Sequence, residues 1–288
     1  MQIMEKTFKA TSYIAAFICI IAVFGIIISI FMEGLPLFRV VSIKEFIFGD
    51  AWYPTHHDAA QFGIRNLIIG SFLATLGAIV ISVPLGLGSA IFISELASSS
   101  YKDFAKPVIE LLAAIPSVVY GLFGMAIVAP YIREIFDLST GLNLFTTSII
   151  LGLMVVPIIA SMSEDALSNV PKNLKEASLA LGATKWQTIV RVVVPTAKRG
   201  INGSILHGFG RAIGETMVVL MVAGGSAQIP GSIFESIRPL TSTIAAEMGE
   251  TVVGDLHYRS LFAIAIVLFV ITFIVNLAAE LSFAKRGR

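Results

Sequence analysis

The chain has 288 residues, 56% of them hydrophobic and only 14% charged, with a net charge of +1 and a mean hydropathy of +0.87. A soluble domain carries about 25% charged residues, so the composition excludes an ordinary soluble fold and gives no reason to expect a nucleic-acid partner. The single cysteine, Cys19, sits in an apolar run, which excludes a disulfide framework and a Cys-based metal site. A helix needs about 20 largely apolar residues to cross a bilayer. In chain order, six segments qualify: 13–32, 67–94, 111–132, 138–163, 201–223 and 260–279, the fifth interrupted by Arg211 and Glu215. The first is expected to be a membrane helix and not a secretory signal, because it is long and no small-residue cleavage site follows Met32.

Helix breakers lie inside several spans: Pro84 with Gly77, Gly86 and Gly88 in the second, Pro116, Gly121 and Gly124 in the third, Pro157 in the fourth. Membrane helices tolerate them when neighbours satisfy the freed backbone groups, and small residues let helices approach closely. Thirteen of the 20 Lys and Arg fall in one set of flanks: the two termini, Lys102, Lys106 and the segment 163–200. Six fall on the opposite side and the last is Arg211. Positive charge marks the cytoplasmic side, so both termini and the 163–200 loop are expected there. The outer segments are then 33–66, a short turn near 133–137, and 224–258. Trp52, Pro54 and the pair His56, His57 suggest an ordered outer cap, and Gly, Ser, Thr, Pro230 and Pro239 suggest a last loop with short helices.

The 163–200 loop has the most local signals. Pro171 suits a first helical turn, with Ser168 or Asn169 to cap it. A helix from Lys172 should stop at Gly182, a residue fit for the left-handed C-terminal position. Thr184 and Gln187 have capping-box spacing for a second helix, which Pro195 should end or kink. Leu174, Ala177 and Leu181 recur at helical spacing and can pack on the membrane domain or in a partner's groove.

Glu176-Ala177-Ser178, then Gly182, then Val194-Pro195 resembles the EAA loop of bacterial binding-protein-dependent ABC permeases. The third position is Ser where that family has Ala, a change between small residues. The resemblance implies that Glu176, Ala177, Ser178, Gly182 and Pro195 belong to a loop that docks on an ATPase subunit. Further segments resemble the PstC-type branch of phosphate-specific transport: Trp52-x-Pro54 with Phe62-Gly63, Val83-Pro84-Leu85-Gly86, the run from Glu110 to Gly121, and Arg211-Ala212-Ile213-Gly214-Glu215-Thr216-Met217. The resemblance covers nearly the whole chain beyond the first span.

Arg211 lies roughly 15 Å into the fifth span, near mid-membrane, with Glu215 one turn further on the same face and His207 one turn before. An Arg at this depth costs at least ~2.5 kcal/mol unless it faces a bundle interior or water. Two readings stay open: an ion pair that neutralises itself, or a transient phosphate contact, since guanidinium offers a planar fork to phosphate oxygens. A carboxylate at Glu215 can accept the proton of a hydrogen phosphate. His207 is expected to be packed. Gly208, Gly210 and Gly214 miss the dinucleotide spacing, and His56, His57 and Asp58 offer only a weak metal pattern. No G-x-x-x-x-G-K-[ST] occurs, so ATP must act through another subunit.

The expectation is an all-α integral membrane protein of six transmembrane helices, in the type I ABC importer (MetI-like) permease fold that the resemblance implies. Residues 1–66 should form a tail, first helix and outer loop, and 67–288 the permease core with its coupling loop at 163–200. The chain is expected to be non-catalytic and cofactor-free, in a bacterial or archaeal cytoplasmic membrane. Its implied partners are membrane lipid, a PstA-type permease subunit, two ATPase subunits that bind the ATP, and an extracytoplasmic phosphate-binding protein. The alternatives are the PstA-type position itself, another oxyanion, or a secondary anion transporter.

Overall fold

A computed structural model describes residues 2–56 and 60–284, with side chains described from Phe8 to Leu277 except those of Ala10 and 57–59. The first helix, α1 (Gln2–Gly34), runs into a 3-10 turn at Leu35–Arg39 and then α2 (Ile43–Phe48). Two-residue strands β1 (Trp52–Tyr53) and β2 (Gln61–Phe62) pair antiparallel, Trp52 opposite Phe62. The second long helix, α3 (Arg65–Ile91), passes through Pro84 unbroken and ends in a π turn at Phe92–Leu96. Next come α4 (Ser99–Ala113), α5 (Ser117–Phe123), a π turn at Gly124–Val128, and α6 (Ala129–Ile135). The central helix α7 (Leu144–Ser168) is followed by α8 (Lys172–Ala180), α9 (Lys185–Thr188), a π turn at Ile189–Val193, and α10 (Val194–Ile213). The chain closes with α11 (Met217–Val222), α12 (Leu240–Glu247) and α13 (Leu256–Ala284).

Five described helical segments are long and apolar enough to cross a membrane: Thr11–Arg39, Arg65–Leu96, Ser117–Ile135, Leu144–Ser168 and Leu256–Leu277. The sixth expected span, 201–223, is divided between α10 and α11. Two expected boundaries move. The span expected at 111–132 starts later, because Leu111, Leu112 and Ala113 finish α4 and Pro116 opens α5. The span expected at 138–163 begins at Leu144, where the Asn143 side chain accepts the Thr146 N–H at 2.9 Å. That helix also extends past Ser163, because Lys102 and Lys106 of α4 reach Glu164 and make its charge tolerable there.

Three apolar clusters stack along the molecule. The middle one joins α3, α7 and α11 through Ala78, Ile150, Val155, Val218 and Val222. At one end, Leu37, Phe46, Trp52, Phe62, Leu240 and Leu261 form a cap under the 33–66 segment. At the other, Ala90, Leu167, Val170, Val193 and Ile201 close the end beside α8. Small residues set the α3–α7 spacing: a Cβ at Gly77 would collide with Ser148, and one at Gly152 would lie 3.1 Å from Ile81 Cβ. The periphery is α1, which packs on α13 with Phe31 edge-on to Phe269 at 6.3 Å and otherwise exposes its apolar side chains.

Candidate functional site

The segment after α7 folds into a helical elbow. Its first helix starts at Lys172, but Pro171 is the N-cap itself, not a first-turn residue, and no side chain caps it. Ser168 instead stays in α7 and donates to Glu164 Oε1 at 2.6 Å. Gly182 stands at φ +83°, left-handed. The Gly182 and Ala183 N–H groups return to Leu179 and Ser178 oxygens at 3.0 and 3.3 Å, which satisfies the carbonyls at the end of α8. Thr184 and Gln187 form both halves of a capping box and start α9. Ser178 Oγ lies 2.9 Å from Thr188 Oγ1 and pins the two helices at the elbow. Alanine at that position has no hydroxyl for this bond.

Pro195 departs from expectation. It does not end the helical run, because it falls in the first turn of α10, directly after the π turn at Ile189–Val193. The wider turn accommodates the missing proline N–H. No α8 side chain is buried, with Glu176 and Ala177 exposed. Leu181 and Trp186 at the tip are 90% and 62% exposed. An elbow that presents Leu and Trp to solvent has an uncovered apolar surface.

Arg211 and Glu215 sit at a helix break. Glu215 does not continue the helix of Arg211: α10 ends at Ile213, and residues 214–216 separate it from α11. The two side chains still meet, Arg211 Nη1 donating to Glu215 Oε2 at 2.9 Å. The other carboxylate oxygen accepts the Met217 and Val218 N–H groups at 3.2 and 3.4 Å, the otherwise orphaned donors at the start of α11. Thr241 of α12 holds the Glu215 carbonyl at 2.7 Å. Glu215 is thus 3% exposed and fully engaged, while Arg211 is 43% exposed, with Nη2 4.0 Å from Met154 Sδ. The carboxylate fixes the break and the guanidinium presents its free edge. His207 is exposed, against the expectation of a packed histidine.

Two polar clusters lay outside the sequence reading. At the capped end, Glu247 accepts from Trp52 Nε1 at 3.0 Å and Arg238 Nη1 at 2.8 Å, and pairs with His257 Nε2 at 2.8 Å. These residues border a cavity of about 450 Å³. At the elbow end, α4, α7, α8 and the end of α3 share a cluster of three cations and three carboxylates, two of which are Glu95 and Glu164. Trp52 is 195 residues from Glu247, and Lys106 is 58 from Glu164, and no periodicity marks such pairs. Of the weak metal pattern, His57 and Asp58 lie outside the described residues, and no metal-holding group of three His, Cys, Asp or Glu occurs among the described ones.

A bundle of crossing helices with a charged break at mid-depth and an exposed elbow at one end defines a multi-pass membrane permease subunit. The chain belongs to the family of binding-protein-dependent transport system inner membrane components, which it matches over residues 82–286. It is 39% identical to a probable ABC transporter permease, YqgH, of Bacillus subtilis, over 94% of this chain and 88% of that protein. It is 34% identical to the phosphate transport system permease PstC of Haemophilus influenzae, over 98% of this chain and 93% of that one. Among solved structures, a bacterial alginate ABC transporter chain superposes with a TM-score of 0.65 at 16% identity, covering 94% of this chain and 92% of its own. A chain of the MetNI methionine transporter gives 0.56 at 19% identity, covering 78% of this chain and 95% of its own. These set the MetI-like permease fold, and inner-membrane residence follows from the family.

Proposed function

We propose that this chain is a membrane-spanning permease subunit of an ATP-driven phosphate importer, in the PstC-type position. The carrying observation is the joint presence of near-full-length likeness to phosphate permeases and a half-exposed guanidinium at mid-membrane, beside a carboxylate that leaves one edge free. Phosphate is matched by such a fork. In this conformation both Glu215 oxygens are engaged, so the cargo contact falls to Arg211 and Glu215 holds it in place.

The elbow formed by Glu176, Ala177, Ser178 and Gly182, backed by Pro195, is the contact for one of two ATPase subunits, which bind the ATP. Its uncovered Leu181 and Trp186 support that role. A PstA-type permease completes the pathway opposite Arg211. A phosphate-binding protein delivers cargo to the capped end. Both termini and the elbow then face the cytoplasm, in keeping with the distribution of Lys and Arg.

Uptake of labelled phosphate into vesicles containing the chain, its sister permease, the ATPase and the binding protein tests this reading. Uptake should require ATP and the ATPase and resist competition by sulfate. Phosphate entry that persists without the ATPase, driven by an ion gradient, refutes it.

A further inference from the structure

The elbow helix α8 has few apolar contacts with the bundle, and none of its side chains is buried. Besides the Ser178–Thr188 bond to α9, movement of α8 therefore needs a polar link to the crossing helices. One ion pair supplies it: Lys175 Nζ reaches Glu95 Oε1 at 2.6 Å. Glu95 lies in the π turn that ends α3, and its side chain is only 9% exposed. A π turn at the end of a helix is a common site of functional strain.

The contacts continue past Glu95. Ser94 Oγ lies 3.0 Å from Glu95 Oε1 and 3.3 Å from Ser168 Oγ, on the last residue of α7. Ser168 donates to Glu164, a carboxylate 3% exposed, which Lys102 of α4 reaches at 2.8 Å. The chain of contacts therefore runs from the elbow through the end of α3 to the end of α7 and on to α4. Both carboxylates are largely buried and each is paired with a lysine of another element, so neither pair can part without uncovering a charge, and the two pairs meet through the Ser94–Ser168 contact.

We infer that this polar relay, centred on the Lys175–Glu95 pair, converts displacement of α8 into a joint movement of α3, α7 and α4. Glu95 and Lys175 are positioning residues: they touch neither cargo nor nucleotide. Charged pairs fit this use because they resist separation yet slide more readily than interdigitated apolar side chains. The inference rests on the reading of the elbow as the ATPase contact.

Phosphate moved per ATP hydrolysed, measured in vesicles at equal amounts of assembled complex, tests the relay. Glu95→Gln keeps the side chain's shape, and Lys175→Met keeps its apolar stem. Both should hydrolyse ATP yet lose about tenfold in the ratio. The exchanged pair, Glu95→Lys with Lys175→Glu, should recover most of it. Wild-type ratios in both single variants overturn the relay, as does an exchanged pair that assembles and stays uncoupled. A separate arm places a cysteine at Leu181→Cys in an otherwise unaltered chain and cross-links it to the ATPase. Failure there, with coupling ratios still altered by Glu95→Gln, overturns the docking reading and not the link between α8 and α3.

Discussion

Replacement of Arg211 by Gln separates the two roles that a mid-membrane charge pair can play. If Arg211 only neutralises Glu215, its loss matters because a carboxylate 3% exposed loses a partner at 2.9 Å. That penalty is about 1–3 kcal/mol, the cost of an unsatisfied buried acceptor. Its other oxygen keeps the Met217 and Val218 N–H groups, which places the cost toward the lower end. If the exposed edge of Arg211 instead binds phosphate, each lost charge-assisted bond costs about 1.5–3 kcal/mol, or roughly tenfold to a hundredfold in transport. A second substitution tells these apart. Glu215→Gln removes the stranded charge and retains a carbonyl oxygen for the start of α11. The double variant should therefore regain the stability lost in Arg211→Gln but none of the transport. Thermal unfolding of the assembled complex and initial rates of phosphate uptake report the two quantities. Near wild-type uptake by the double variant refutes the cargo contact and leaves Arg211 as a counter-ion.

Three further outcomes follow from the same geometry. Gly182→Val forces a β-branched residue into φ +83°, with ~1–2 kcal/mol of backbone strain and no steric neighbour to share it; ATPase activity coupled to transport should fall, while Gly182→Asn, tolerant of that conformation, stays near wild type. Hydrogen bonds to Asp165 and then Glu164 hold the Lys106 ammonium above its ordinary 10.5, so its stabilisation is complete below that value and declines as pH rises through the elevated one. The unfolding midpoints of wild type and Lys106→Met in detergent should keep a constant offset from about pH 7 to 9 and converge only in strong alkali. In a Cys19→Ser background, a disulfide between Ile81→Cys and Gly152→Cys, whose Cβ positions are 3.1 Å apart, should leave transport intact, whereas one between Gly121→Cys and Met221→Cys, 3.4 Å apart, should arrest it reversibly. Equal inhibition by both disulfides contradicts a rigid α3–α7 pair.

Much of the fold was legible because its signals are local. Apolar runs of membrane length, the Gly182 turn and the Thr184 capping box each depend on a few neighbouring residues; the turn and the box stand where the sequence implied, and five of the six runs do so to within a few residues. The helix break was not legible. Arg211 and Glu215 are four apart, the spacing of one helical turn, and the pair does form, yet Glu215 bonds forward to the next helix and the turn between them opens. A carboxylate that caps a helix N-terminus and one that pairs at i, i+4 leave the same trace in sequence. The start of α7 slipped for a related reason, because an Asn at the edge of an apolar run ends the hydrophobic count no earlier than any other polar residue. Pro195 does not stop the helical run, because it stands in the first turn of α10 behind a π turn. The relay at Glu95 and Glu164 was invisible because each partner lies on a different helix, and only the fold brings them together.

Close packing and helix interruptions fall on different elements of this chain, and that division lets it be both rigid and movable. Within the middle cluster, α3 and α7 are joined by small residues in direct contact, an arrangement with two close-packed surfaces and no room to slide. The interruptions fall elsewhere: at residues 114–116 before α5, at the π turn Gly124–Val128, and at residues 214–216 before α11. Residues 214–216 join the helix of Arg211 to α11, and α5 packs on α11 through Gly121 and Met221. A displacement delivered at Lys175 therefore meets a stiff pair first and articulated helices second. Stiffness next to the input and breaks next to the charge is the order a transport pathway requires, because the reverse would dissipate the movement before it reached the guanidinium.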